Sequence, residues 1–406
     1  MIDNKSLLGT ASHTMQYCAF MLYYFTMKRS VALLIETSNE YARGILRGIL
    51  RYQQEHEQWT IDLPEQHRGA DPPRWLRTYS GHGIIARIET GSIARAVRAA
   101  KLPTVDVSAA RELLDVPWIE TDDAAIAKLA VEHFLEKGFR HLAFCGDVAF
   151  NWARWRRDAF VAEAGRVGIE ATVFDVGDVT TGTTWPRERR RLIRWLEKLP
   201  EPCGLMAAYD SLARRLIDLC SQVSRPVPDS IAVLGVDDDP LLCQLATPPL
   251  SSVIPDAEGA GYTAAEQLDA IMSGRKIKPT GTFLPPLGIA TRQSTDTLAV
   301  EDQQVAKAGR YILTHAFDGI QVADVVKQTN LTRRALETRF KLAVGKTPHE
   351  LITATRLAEA ERLLRETKLT LDRIANRCGL EYAEYLSVLF RKHRDMTPGE
   401  YRQQHR

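Results

Sequence analysis

Residues 322–341 read VADVVKQTNLTRRALETRFK, and residues 371–391 read LDRIANRCGLEYAEYLSVLFR. They are one pattern written twice. Val322 aligns with Leu371 at an offset of 49, and Leu336 with Leu386 at an offset of 50, which predicts one extra residue in the second turn. Each copy predicts a short helix, a turn and a longer helix, the layout of a helix-turn-helix. Val326 and Ala375 fall where the paired helices cross, and Asn330 and Gly379 fall at the turn position that favours a positive φ. Thr332 is suited to cap the longer helix of the first copy.

In that helix Arg334, Glu337, Thr338 and Lys341 recur at i, i+3, i+4 and i+7 and share one face, with Leu336 and Phe340 opposite. The second copy turns Glu384, Ser387, Val388 and Arg391 outward and Leu386 and Phe390 inward. A helix that reads DNA bases needs this division, with apolar residues locking it and polar ones reaching base edges. Arg333, Arg339, Lys341, Arg391, Lys392 and Arg394 offer cations to phosphates. A helical bundle with solvated faces would account for either copy alone. Two copies joined by one long helix, from Pro348 to about Arg365, are harder to explain that way. The repeat predicts two reading helices about one DNA turn apart, ~34 Å, on the same side of the duplex.

Charge points the same way. The whole chain of 406 residues carries only +2, but residues 301–406 hold 19 Lys/Arg against 14 Asp/Glu, net +5, and residues 1–300 hold 34 against 37, net −3. A basic C-terminal part behind an acidic remainder suits a polyanionic partner, although solvated charge alone can produce such a balance.

Upstream the grammar changes. Val31 to Ile35 is a continuous apolar run, as in a strand buried on both faces of a parallel sheet. A helix over 40–57 follows, then strands at 83–86, 103–107, 141–145, 171–175, 204–208 and 231–235. Helices at 91–100, 122–137, 154–167, 187–198 and 210–222 alternate with them. These seven strands, about nine in all over about 265 residues, exceed one ordinary sheet of five or six, so two parallel sheets with a cleft between them are expected. The division is then 1–28, an extension; 29–292, a two-lobed α/β unit; 293–303, a polar linker; and 304–406, an all-helical unit.

The apolar run Tyr17 to Met27 is too short to span a bilayer, which takes about 20 residues. It lacks the basic flank of an export signal. Met27 is the expected natural start, and a cytoplasmic location without membrane contact is expected. Cys18, Cys145, Cys203, Cys220, Cys243 and Cys378 show no metal or redox spacing and read as scattered, mostly buried thiols. No cofactor or metal motif stands out. G-x-S-x-G, P-loop, G-x-G-x-x-G and H-E-x-x-H patterns are all missing. An enzyme is therefore disfavoured. A plain solute-binding protein and a DNA-binding protein without an effector are the other rivals.

Both halves resemble known families. Ile374-Ala375 … Cys378-Gly379-Leu380 … Tyr385-Leu386 … Phe390-Arg391-Lys392 … Thr397-Pro398 … Tyr401-Arg402 carries a resemblance of residues 305–402 to the DNA-binding domain of AraC-type regulators. The resemblance implies that Arg334, Glu337 and Thr338 read bases. Val388 stands where some members have arginine, which leaves an apolar contact with a thymine methyl as the alternative. Thr121-Asp122-Asp123 … His133-Phe134 … Lys137 to Phe144, with Val227 to Asp238 and Pro248 to Val253, resembles the sugar-binding core of LacI-type repressors over roughly residues 29–292. That core is related in fold to periplasmic sugar-binding proteins. The helix-turn-helix that such repressors carry at the N-terminus is missing here.

The implied function is a sugar-responsive, sequence-specific regulator of transcription, acting as activator or, alternatively, as repressor. Its implied partners are a double-stranded DNA operator, a pentose or similar sugar, RNA polymerase and a second copy of the chain as homodimer. In open α/β sheets ligands sit outside the carboxyl ends of strands. Candidates there are Glu36, Asn39, Tyr41, Arg87, Asp210 and Asp237. By the LacI-type resemblance Arg156 would also contact the ligand, and Trp152 or Trp155 could stack on a sugar face. Asp122, Asp123, Asp238 and Asp239 are expected to cap helices.

Overall fold

A computed structural model describes residues 28–56, 58–68, 70–177, 185–297, 300 and 302–404. The expectations for residues 1–27 and for Cys18 lie outside the described residues.

Two six-stranded sheets form the first two lobes. In chain order the first contains β1 (Ser30–Leu34), β2 (Thr60–Asp62), β3 (Gly83–Ala86), β4 (Thr104–Asp106), β5 (Trp118–Thr121) and β11 (Gly281–Leu284). The second contains β6 (His141–Asp147), β7 (Thr172–Val176), β8 (Cys203–Ala207), β9 (Ile231–Val236), β10 (Ser251–Ile254) and β12 (Gly288–Ala290). Their spatial orders are β11-β5-β4-β3-β1-β2 and β12-β10-β9-β8-β6-β7. Every pairing is parallel except β10 with β12. Parallel strands need crossover helices on both faces, which explains the unbroken apolar runs of β1, β3, β8 and β9, all but fully buried.

In the first lobe α1 (Glu40–Glu55) and α8 (Ala257–Met272) cover one face and α2 (Gly91–Ala100) the other. In the second, α3 (Asp123–Glu136) and α4 (Asn151–Arg166) cover one face, and α5 (Trp185–Leu196) and α6 (Asp210–Gln222) the other. The short α7 (Pro240–Leu245) follows β9. The chain crosses between lobes three times, after β5, after β10 and after β11. The cleft lies at these crossings.

The second lobe also holds the start of the stretch expected as a linker. Ser294 and Thr295 are fully buried. Ser294 Oγ donates to Val233 O and accepts from Ser251 N, and Thr295 Oγ1 donates to Ser251 Oγ. Polarity in this stretch reflects hydrogen bonding to β9 and β10 rather than solvation.

The remainder is helical: α9 (Gln303–His315), α10 (Val322–Lys327), α11 (Arg333–Val344), α12 (Pro348–Glu366), α13 (Leu371–Arg377), α14 (Ala383–Arg394) and α15 (Pro398–Gln404). Each half builds its own core. Ile312, Val325, Leu336, Phe340 and Ile352 pack in the first, and Leu364, Ile374, Ala375, Leu386 and Phe390 in the second. Thr347 and Glu350 form a reciprocal capping box that starts α12, with Pro348 at its first position.

Two sequence expectations need correction. The additional residue of the second copy lies in α13, seven residues against six in α10, and both turns have equal length. Gly379 has φ +69°, but Asn330 is not among the residues with positive φ. Its amide instead donates to Gln304 Oε1 of α9, so the first turn is tied to a neighbouring helix and needs no left-handed residue.

Candidate functional site

The cleft encloses a cavity of about 310 Å³ that draws on both lobes. That volume sits at the small end of small-molecule sites. Asn39, Tyr41, Trp152, Arg156, Asp210 and Asp237 all line it. The geometry gives them different tasks.

Asp237 follows β9 with φ +112°, and Asp238 with φ +50°, two successive strained residues at the end of a strand. Among the described residues no side chain donates to the Asp237 carboxylate. Burial pushes this carboxyl up to about 6, although Arg156, Arg68 and Arg87 favour its charge.

Arg156 is held rigidly. Its Nε and Nη2 lie 2.8 Å from Asp123 Oδ1, and Nη1 donates to Ala208 O. The two hydrogen bonds, from Nε and Nη1, use two of the five guanidinium donors. Asp123 was expected to cap α3. The structure gives that task to Asp122, which accepts from Ala125 N at 2.9 Å, and turns Asp123 to Arg156. One carboxylate sits at the capping position, and its neighbour, one residue into the helix, faces the cleft.

Asp210 lines the cavity with both oxygens engaged. Oδ1 accepts from Ser252 Oγ at 2.6 Å, and Oδ2 from Asp239 N at 2.8 Å. It therefore shapes the 237–239 loop. Asn39 caps α1 through Ala42 N and donates to Glu36 Oε1 at 2.7 Å. Tyr41 OH accepts from Thr121 Oγ1 at 3.1 Å, and burial raises its phenol pKa.

The first lobe contributes a charged chain that ends across the cleft. Arg87 bridges Glu36 at 2.7 Å and Glu89 at 2.6 Å. Burial raises the Glu36 carboxyl, but Arg87, its own amide and Asn39 outweigh it and hold it below its ordinary value. Arg68 reaches Glu89 at 3.3 Å and lays its guanidinium 4.0 Å from the Phe150 ring centroid and 5.1 Å from that of Trp152. Trp152 stacks on Phe150 and meets Tyr209 edge-on, and its buried Nε1 has no hydrogen-bond partner among the described residues. Arg68 escaped sequence reading because it lies in a loop without periodicity, and its aromatic partners are remote in the chain. Trp155 packs under Arg111, 4.4 Å away, instead of entering the cavity.

Other contacts also join the lobes. Arg43 lies 3.5 Å from Asp239, and Asn151 donates to Ala110 O at 3.0 Å. Asp239 also caps α7, as expected. Asp238 does not. Its Oδ1 pairs with Arg292 at 2.8 Å.

In the helical unit, Arg333, Arg334, Thr338 and Lys341 of α11 are exposed and Glu337 is half-buried, while Leu336 and Phe340 are fully buried. Arg333 Nε donates to Glu337 at 2.9 Å and Lys341 lies 3.3 Å from Glu350, exposed pairs that a phosphate can replace. On α14, Glu384, Val388 and Arg391 are exposed. Ser387 is half-buried and donates to Ala383 O, so its hydroxyl already has a partner. The five described cysteines are buried and unpaired, and no helix among the described residues is long and apolar enough to cross a membrane.

A two-lobed ligand-binding core followed by a double helix-turn-helix defines a ligand-responsive, DNA-binding regulator of transcription. The family models agree. Residues 30–124 match the XylR N-terminal domain, 131–295 the periplasmic binding protein-like domain and 325–404 a helix-turn-helix domain. The xylose operon regulatory protein of Escherichia coli K12 is 32% identical over 386 residues, covering 93% of this chain and 98% of that protein. Its namesake from Haemophilus influenzae is 30% identical over 383 residues, covering 92% and 97%. A solved structure described as the xylose-binding transcription activator xylR matches with a TM-score of 0.62 at 31% identity, covering 93% of this chain and 99% of that one. The chain belongs to the family of xylose operon regulatory proteins.

Proposed function

We propose that the cleft binds D-xylose or a closely related aldopentose and that the bound sugar switches on transcription of a sugar-catabolic operon. The observation that carries this reading is the Asp237 carboxylate, which faces the cavity with no donor from the described side chains. A sugar hydroxyl donating to it forms a charge-assisted hydrogen bond. Arg156 and Arg87 offer donors to other hydroxyls, and Trp152 an apolar face to the ring carbons. Asp210 and Asn39 act indirectly, by fixing the loops that carry Asp237 and Glu36.

In this reading sugar bridges the lobes and favours the closed arrangement, a shift in a two-state equilibrium. The chain works in the cytoplasm as a homodimer. Each copy presents Arg333, Arg334, Glu337, Thr338 and Lys341, with Glu384, Ser387, Val388 and Arg391, to a double-stranded operator, and the complex recruits RNA polymerase. The names of the relatives support xylose and activation.

The test is a melting-temperature screen of the full chain against pentoses and hexoses, followed by calorimetry. A ligand that binds the folded state stabilises by about 2.7 kcal/mol at a hundred times its Kd. D-Xylose is expected to raise the melting temperature selectively. No rise with any aldopentose would overturn the sugar assignment and leave the DNA-binding role standing.

A further inference from the structure

We infer that the second recognition helix, α14, reads thymine through its C5-methyl group, with Val388 as the contact and Tyr385 beside it. The inference rests on the DNA-binding role of the helical unit and adds a base preference to it.

Val388 is 57% exposed and Tyr385 47%, yet the helix that carries them is firmly seated. Leu386, Leu389 and Phe390 on its other side are buried against Ile374, Ala375 and Leu364. The exposure is therefore a property of the outward face and not of slack packing. With the 50-residue offset, the matching residues of α11 are Thr338 and Ala335. One recognition helix thus presents a hydroxyl and a methyl where the other presents an isopropyl and a phenol ring.

An apolar side chain at the centre of a reading face needs an apolar partner. Among base edges in the major groove, the thymine methyl is the one apolar group. The flanking charge also selects DNA over an apolar protein surface. Arg391 follows Val388 by three residues, Lys392 by four, and both are exposed. Glu384, one turn before Val388, can accept from a cytosine or adenine amine, so the face pairs an acceptor with a methyl contact.

The probe is a duplex selected from a random-sequence pool by the full-length protein. Each thymine is then replaced singly by deoxyuridine, which removes the methyl and nothing else. One or two replacements within one half-site are expected to weaken binding about three- to fivefold, the scale of one buried methyl group. Val388→Ala, an exposed change that spares the core, is expected to bind the parent duplex about three- to fivefold more weakly and to lose the sensitivity to deoxyuridine. Three results would overturn the inference: no thymine that responds, a response unchanged in Val388→Ala, or a variant that binds DNA like the parent, methyl sensitivity included, but no longer activates transcription. The last would assign this face to a protein partner. Failure to select any duplex would instead count against the DNA-binding role itself.

Discussion

Arg292 Nη1 lies 2.8 Å from Asp238 Oδ1, so the residue next to the cavity carboxylate is tied to the root of the segment that leads into the helical unit. Arg292 also donates to Leu250 O at 3.0 Å and exchanges hydrogen bonds with Ser251. It is followed by the buried Ser294 and Thr295, then by Thr297 and Arg310, which both reach Asp229. Asp237 and Asp238 form a strained two-residue bend whose second member holds Arg292, so a hydroxyl bound at Asp237 is expected to act on that pair. Arg292→Met is expected to leave D-xylose affinity within about twofold but to cut the sugar-dependent change in operator affinity. Couplings of this kind are typically about 1–3 kcal/mol. Calorimetry of sugar binding, with operator titrations in the presence and absence of sugar, separates the two quantities. A full sugar response in the variant would remove Arg292 from the coupling.

Asp237 sets a pH dependence with a definite sign. Its carboxyl stands at about 6 in the fold and near 3.9 in an unfolded chain, so the folded state holds its proton more tightly. The sugar-free protein therefore loses stability as pH rises from about 4 to about 6, and the loss persists above that. A sugar that donates to the ionised form is expected to bind best above about 6 and more weakly below it. Asp237→Asn is expected to lower sugar affinity by about 1.5–3 kcal/mol, the worth of a hydrogen bond to a charged group. It should also flatten the pH profile of binding and raise the melting temperature of the sugar-free protein at neutral pH. Burial likewise pushes the Asp106 carboxyl up to about 7, so the profile of the parent must be read against that of Asp237→Asn. A parent affinity that does not change between pH 5 and 8 would show that the sugar does not use the ionised carboxylate.

The sequence is most readable where one physical demand acts alone. The central strands β1, β3, β6, β8 and β9 are buried on both faces and announce themselves as apolar runs. The edge strands β2 and β12 and the short β11 are three or four residues long and only partly buried, so they carry no such signature. The repeat located both recognition helices because the same core had to be built twice. At the cleft, residue type and strand end pointed to Asp237, and the LacI-type resemblance to Arg156. They could not separate an engaged carboxylate, Asp210, from a free one, nor tell that Asp123 rather than Asp238 would meet the arginine. Those distinctions depend on which neighbour arrives within 3 Å. Arg68 pairs with Glu89 in its own lobe but meets its aromatic partners, Phe150 and Trp152, only from the other.

The exposed face of α11 predicts two kinds of loss. Among the described residues Arg334 makes no side-chain hydrogen bond or ion pair, and it is exposed in the first turn of α11. Arg334→Ala is expected to cost about 1–3 kcal/mol on the best operator and to relax preference at one base position. Lys341, held only by an exposed pair with Glu350, should behave differently. Lys341→Ala weakens binding to all sequences alike and lowers the salt slope by about 1. Competition between specific and random duplexes across salt concentrations checks both. Uniform loss in Arg334→Ala would reassign it from base to phosphate.

Two glycines of the helical unit separate backbone strain from steric clash. Gly345 ends α11 with φ +75° and has open space where a Cβ would stand. Gly379 follows α13 with φ +69°, and a Cβ there would lie 2.6 Å from Phe317 O. The 3-10 turn that carries Phe317 is clamped from α12. Buried Arg356 donates through Nε to Ala316 O at 2.8 Å and through Nη2 to Ile320 O at 3.0 Å, so the turn cannot retreat. Gly345→Ala should therefore cost only the left-handed backbone penalty, about 1–2 kcal/mol, and keep operator binding. Gly379→Ala adds a clash between the two helix-turn-helix halves and should lose operator binding altogether, while D-xylose still stabilises the sensor lobes. Urea melts and operator titrations of the two variants give the comparison. Equal losses would mean that the contact between Gly379 and the 316–317 backbone does not hold the two halves together.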